Sequence, residues 1–154
     1  MSAFAPTSWR PDLAALLPAD PAPYHGPQAA PWLTGAYLAL ITARSLVHLF
    51  APDGGARTIA TIDTSVAGGR NIIGLFGQWG AIQLLLAGLS WALLARYPGL
   101  TPLILCALLA EPFLRALSGR LKPISTQRPA PGAALNFLPV PVLLLALYLA
   151  LCPG

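Results

Sequence analysis

The chain has 154 residues, of which 56% are apolar and only 9% are charged, and its mean hydropathy is +0.67. A soluble globular domain carries about 25% charged residues, so this composition excludes an ordinary soluble protein and predicts an integral membrane protein. Nine Lys and Arg stand against five Asp and Glu, but no basic stripe with interleaved aromatic residues is present, which argues against nucleic acid binding.

Residues 1–30 predict an irregular, Pro-rich tail outside the membrane. Six prolines between positions 6 and 27 interrupt any helix longer than residues 12–17. The few apolar side chains of the tail cannot form a core by themselves, and a free Pro-rich terminus normally frays. We therefore expect a partner to hold this tail in place.

Residues 31–154 predict a transmembrane domain of four helices. Each apolar segment is near the ~20 residues that cross ~30 Å of hydrocarbon, and the predicted spans are about 32–50, 71–97, 100–117 and 133–152. Pro139 and Pro141 remove two backbone donors near the start of the fourth span, which predicts a kink or irregular first turns. The expected fold class is all-α, an integral membrane bundle of four transmembrane helices after an irregular Pro-rich tail.

The charges between the spans predict the orientation in the membrane. The opposite face of the membrane from the two longer loops would carry only Arg10 and Arg96. The two longer loops carry five basic residues, which are Arg57, Arg70, Arg120, Lys122 and Arg128. Lys and Arg are retained on the cytoplasmic side. We therefore predict a multi-pass protein of the bacterial inner membrane with both longer loops in the cytoplasm and both termini outside.

Small and amide side chains predict contacts between helices. Glycines recur every three residues in the second span, which lets a neighbouring backbone approach closely, and amides within a membrane usually hydrogen-bond across helices. Gln78 shares a face with Gly74, whereas Gln83 projects elsewhere. The predicted helix-packing residues are Gly74, Gly77, Gly80, Gln78, Gln83 and Asn136.

Two pairs of polar residues predict a site at the inner ends of the spans. Arg44 and His48 are four residues apart in the first span, and Glu111 and Arg115 are four apart in the third, so each pair shares a helix face. A structural interpretation has Glu111 bridging the two arginines. A functional interpretation makes the four residues a pocket for an anionic or quinone-like headgroup, with His48 or Glu111 exchanging protons. A third option makes His48 an axial ligand of haem or chlorophyll, for which a lone His is a weak signal.

The sequence contains no catalytic signature and no metal motif, and the cofactor is unknown. Cys106 and Cys152 lie in different apolar segments without a neighbouring Cys or cluster of His, so we interpret both as packing residues rather than ligands. The absence of a catalytic signature favours a non-enzymatic protein.

Residues from Arg70 to about Tyr148, roughly half of the chain, resemble a family of small bacterial four-helix membrane proteins of unknown function that is distantly similar to the DoxX-type bundles. The resemblance is carried by Asn71-Ile72-Ile73-Gly74, Gly77-Gln78-Trp79-Gly80 with Gln83, Arg96-Tyr97, Glu111-Pro112-Phe113-Leu114-Arg115, Leu121-Lys122-Pro123, and Pro131-Gly132-Ala133 followed by Asn136 and Pro139. It implies a four-helix fold and assigns no chemistry.

Two function classes follow from these features. The glycines of the second span and the tail favour a non-enzymatic accessory or scaffold subunit that packs against a larger membrane complex, such as a respiratory or photosynthetic one. The alternative is a bundle that binds or converts a small molecule, a quinone, lipid or pigment, at Arg44, His48, Glu111 and Arg115. The expected partners are other membrane protein subunits and lipids.

Overall fold

The computed structural model describes residues 3–154, apart from the side chain of Ala134, so the first two residues of the predicted tail lie outside the described part. All regular structure within this part is helical, which confirms the all-α prediction there. The five α-helices are α1 (Ala29–Phe50), α2 (Gly69–Arg96), α3 (Thr101–Leu121), α4 (Pro131–Ala134) and α5 (Val140–Leu151). Two short 3-10 helices cover Leu13–Leu16 and Pro98–Leu100.

Within the described residues, three helices are long and apolar enough to cross a membrane. They are α1 with 22 residues, α2 with 28, and α3 together with the 3-10 turn before it, with 24. The first three predicted spans coincide with them to within a few residues. The largest difference is at α3, which continues through the polar residues Ser118 to Arg120 beyond the predicted end at 117, because a helix does not have to stop where its apolar residues stop.

The fourth predicted span, 133–152, is not one continuous helix. The structure has a four-residue helix, α4, then turns over residues 135–139, and then α5 with 12 residues. Pro141 sits in the first turn of α5, where its missing N–H would have no helical partner in any case. A 12-residue helix is about 18 Å long, short of the ~30 Å hydrocarbon core. The two prolines thus break the segment more strongly than a kink would.

The chain forms two compact units. The first comprises residues 3–38, 89–113 and 139–154, and the second comprises residues 39–88 and 114–138. In the first unit the buried residues of α3 recur at helical spacing on one face, and so do those of α5. They include Ile104, Leu105 and Leu108 on α3, and Leu143, Ala146 and Ala150 on α5.

The tail is ordered by its own chain within the first unit. The backbone N–H of Asp12 donates to the Leu151 carbonyl at 2.7 Å, and that of Thr7 donates to the Pro153 carbonyl at 3.0 Å. The Gly99 N–H donates to the Pro21 carbonyl at 2.9 Å. The end of α5 and the turn before α3 thus supply hydrogen-bond partners for the tail, and the docking of the tail on a partner stays a prediction.

The two longer loops meet in the second unit. Thr61 lies at φ +56°, a region that β-branched residues rarely adopt. Its hydroxyl donates to the Arg128 carbonyl at 2.6 Å, and its own carbonyl accepts from the Gln127 N–H at 2.8 Å. These bonds hold the two loops together.

Candidate functional site

Arg44 and His48 lie on one face of α1, as their spacing predicts, and both contact α2 within the second unit. Buried residues recur along this face at Ile41, Ser45 and His48, so the two polar side chains belong to the packed side of the helix. We call Arg44, His48, Phe76, Trp79 and Gln83 the α1–α2 cluster.

His48 is enclosed, with 3% of its surface exposed. Its Nδ1 lies 2.7 Å from the Gly54 carbonyl oxygen, and because a carbonyl only accepts, Nδ1 carries the proton. The ring centroid is 4.6 Å from that of Trp79 and 5.9 Å from that of Phe76. The ring thus connects the end of α1 to the following turn and to α2.

The turn that receives this hydrogen bond is built from two glycines. Gly54 and Gly55 have φ of +58° and +77°, which glycine adopts without strain. A Cβ on Gly55 would lie 3.2 Å from His48 Nδ1. A side chain at this position would therefore press on the histidine ring.

Arg44 is half-buried and is held by α2. Its Nη2 donates to Gln83 Oε1 at 3.3 Å, and its guanidinium carbon lies 5.8 Å from the centre of the Trp79 ring, within cation–π range. Gln83 is itself buried. Gln83 thus accepts a hydrogen bond across helices, from Arg44.

The other two residues of the predicted pocket lie on α3. Glu111 belongs to the first unit, whereas Arg115 belongs to the second unit with Arg44 and His48. Both side chains are half-buried, and Pro112 between them is buried. The contacts described for Arg44 and His48 come from α2 and the Gly54 turn, and the sequence interpretation did not name Gly54, Phe76 or Trp79 as their neighbours.

The predicted packing residues separate into two groups. A Cβ on Gly80 would lie 2.7 Å from His48 Cβ, so α1 and α2 approach closely there as predicted, and Asn136 is buried. At Gly74 and Gly77 no described atom lies within 4 Å of such a Cβ, and Gln78 is exposed. Gly74, Gly77 and Gln78 thus lie away from the contact of α1 with Gly80, and their role in helix packing stays a prediction.

Asp53 stabilises the loop after α1. Its carboxylate accepts from the backbone N–H of Gly55 at 3.0 Å, Arg57 at 3.2 Å and Thr58 at 2.8 Å. Desolvation opposes the charged form, but these hydrogen bonds outweigh it, so the pKa of Asp53 lies below its ordinary value of 3.8. The carboxylate stays ionised at neutral pH, and its contribution is lost only in strong acid.

Sequence reasoning missed Phe76, Trp79 and Thr61. Phe76 and Trp79 precede Gly80 and Gln83 by about one turn on the same side of α2, so the 3.6-residue period contained a signal for them. Thr61 gave no signal, because its left-handed backbone and its bonds to a distant loop depend on the folded chain.

Comparisons with known proteins give no relative for this chain. No protein-family model matches it, and neither a curated protein nor a solved structure is significantly similar to it. The resemblance to small four-helix membrane proteins therefore stays a prediction.

Proposed function

We propose that this protein is a non-enzymatic accessory subunit of the bacterial inner membrane that packs one face of α2 against another membrane protein. The observation that supports it most is the open face formed by Gly74, Gly77 and Gln78 on a helix long enough to span the bilayer. Small residues let two helices approach, and an amide within hydrocarbon is stabilised by a hydrogen-bond partner.

The spacing of this face supports one docking surface rather than scattered small residues. Gly74, Gly77, Gln78, Ala81 and Gly88 fall on one side of a helix with 3.6 residues per turn. At Gly88, as at Gly74 and Gly77, an added Cβ would meet no described atom within 4 Å. A neighbouring helix can therefore approach the α2 backbone along about four turns.

The small-molecule alternative has less support in the geometry. Arg44 is engaged by Gln83 and Trp79, and His48 is buried with its Nδ1 committed to Gly54. A tetrapyrrole could reach the His48 ring only if the surrounding side chains moved, because 3% of the residue is exposed. These contacts are those of a structural cluster that joins α1, α2 and the following turn.

Photo-crosslinking in native membranes tests the docking proposal. A photoreactive phenylalanine analogue replaces Gln78 in one variant. In the control variant it replaces Leu86, which is 57% exposed and lies about 180° around the helix from Gly77. We expect crosslinks to a second membrane polypeptide from position 78 and not from position 86. Gly77→Phe should abolish the crosslink from position 78, whereas Leu86→Phe should leave it intact. Crosslinks to lipid alone from both positions would contradict the proposal.

A further inference from the structure

The N-terminal tail presents apolar side chains that its own chain does not cover. Phe4 is 69% exposed, Trp9 62%, Leu13 76% and Leu17 67%. Large apolar side chains in this number on one short segment are costly in water. The backbone of the same segment is nevertheless firmly hydrogen-bonded to the rest of the first unit, so these side chains are held in position rather than loose.

The attachment points locate the tail at the ends of the long helices. The Gln28 and Ala29 N–H groups at the start of α1 donate to the carbonyls of Ala3 and Phe4 at 3.0 and 3.3 Å. The bond from Gly99 to Pro21 attaches the tail to the turn between α2 and α3. Since α1, α2 and α3 are the helices long enough to cross a membrane, a segment tied to their ends lies where hydrocarbon gives way to headgroups.

Gly99 makes this attachment possible. A Cβ at this position would lie 2.6 Å from the Pro23 carbonyl oxygen and 2.7 Å from that of Pro21. The tail therefore crosses directly over the backbone of the turn between α2 and α3. Any larger residue there would lift the tail away from the helix ends.

Trp9 joins the tail to an apolar helix surface. Its carbonyl accepts from the Tyr148 hydroxyl on α5 at 2.7 Å. The two rings stack with centroids 6.4 Å apart and planes 21° apart. Neighbouring α5 residues such as Leu144 and Leu145 are half exposed. The apolar surface of α5 thus continues into the tail through a Trp–Tyr pair, and these are the two residue types that concentrate at membrane interfaces.

We infer that the tail is an interfacial anchor, which inserts Phe4, Trp9, Leu13 and Leu17 into the outer boundary between lipid headgroups and acyl chains. The partner is the bilayer itself. Arg10 is the only Lys or Arg between positions 1 and 30, where the acidic residues are Asp12 and Asp20. Insertion therefore depends on apolar burial and not on attraction to anionic lipids. The inference requires that α1 to α3 span the membrane, but not that α2 docks on a partner.

Quenching of Trp9 fluorescence tests the anchor with the full chain in nanodiscs of zwitterionic phosphatidylcholine. The lipids are brominated either near the headgroup end or near the methyl end of the acyl chains. The Trp9 signal is the difference between the wild type and Trp9→Phe. The difference between the wild type and Trp32→Phe gives the signal of Trp32, with which the Trp9 signal is compared. Trp32 is a suitable reference because it lies in the first turn of α1 and is 73% exposed.

We expect Trp9 to be quenched more by the shallow bromines than by the deep ones, and to be protected from aqueous iodide. The double substitution Leu13→Ser and Leu17→Ser should reverse both effects. Because both positions are exposed, the helices should stay folded in this variant. Adding anionic lipid should change neither result. Quenching of Trp9 by iodide would show a tail in water, and protection from both quenchers would show a protein contact. Either outcome overturns the inference, and neither bears on the crosslinks from α2.

Discussion

At the residue scale, His48 is a polar side chain that is buried and hydrogen-bonded between two helices. Its ring contacts Trp79 and Phe76 and donates from Nδ1 to the Gly54 carbonyl. The sequence interpretations gave His48 a role in proton exchange or as an axial ligand, and none of them included a hydrogen bond from the ring to the backbone. Because the structure adds this acceptor, removal of the ring should cost more than the loss of its packing alone.

His48→Leu replaces the ring by an apolar side chain of similar size and leaves the buried Gly54 carbonyl without its donor. The free energy of unfolding should fall by about 1–3 kcal/mol. Thermal unfolding in detergent measures this loss. The control is Val47→Ala at the neighbouring position, where 44% of the side chain is exposed and a change within about 0.5 kcal/mol is expected. If His48→Leu instead released a co-purified small molecule with stability unchanged, the structural role would be wrong and the binding alternative correct.

The residues of the α1–α2 cluster were only partly predictable. The spacing of Arg44 and His48 indicated that they share a face, because the helical period is a local property. Which residues of α2 meet them depends on how the two helices are set against each other, and a single sequence does not contain that register. Gln83 was therefore predicted to bond across helices, but its partner Arg44 was not named.

At the element scale, α2 has two faces with different surroundings. Gly80, Gln83 and Ala87 are buried at intervals of three and four residues and form the packed side. Gly74 and Gly77 belong to the other side. The sequence interpretation grouped the three glycines by their spacing of three, but a helix turns about 300° over three residues and 600° over six. Gly80 therefore lies about 120° from Gly74.

Alanine at two of these glycines separates the faces. Gly80→Ala places a methyl group 2.7 Å from both His48 Cβ and the Leu49 nitrogen, so α1 and α2 must move apart, at a cost of about 1–3 kcal/mol. Gly77→Ala meets no described atom within 4 Å and should stabilise the isolated helix by up to about 1 kcal/mol. Melting temperatures of the two variants in detergent check the difference. Equal melting temperatures would contradict the assignment of Gly80 to the α1–α2 contact.

The bounds of a helix could be predicted from the sequence where its apolar segment is long and has clear ends. The bounds of α1 and α2 follow from long apolar segments with polar or proline-rich ends. The fourth segment has the same composition, but Pro139 and Pro141 stop the helix where the hydropathy alone would continue it. Hydropathy reports the solvent that a segment prefers, and not the backbone hydrogen bonds that its residues are able to make.

At the scale of the whole molecule, charge is distributed unevenly between the two units. Seven of the nine Lys and Arg lie in the second unit, together with two of the five acidic residues, and the first unit holds Arg10 and Arg96. The two longer loops belong to the second unit and are bonded to each other at Thr61, whereas the tail and residues 151–154 are bonded together in the first. If α1 to α3 span a membrane, each of these hydrogen-bonded sets has to lie on one side of it.

Because Lys and Arg are retained in the cytoplasm, we predict that both loops are inside and both termini outside. Single cysteines test this in a Cys106→Ala, Cys152→Ala background, since both native cysteines are unpaired thiols. Ala19→Cys in the tail and Ser125→Cys in the second loop are matched exposed positions.

A membrane-impermeant maleimide should label position 19 in intact cells and position 125 only in inverted vesicles. Detergent should make both positions reactive, which controls for buried thiols. Labelling of Ser125→Cys in intact cells would reverse the orientation, and labelling of both positions from one side would contradict the separation of tail and loop by the membrane.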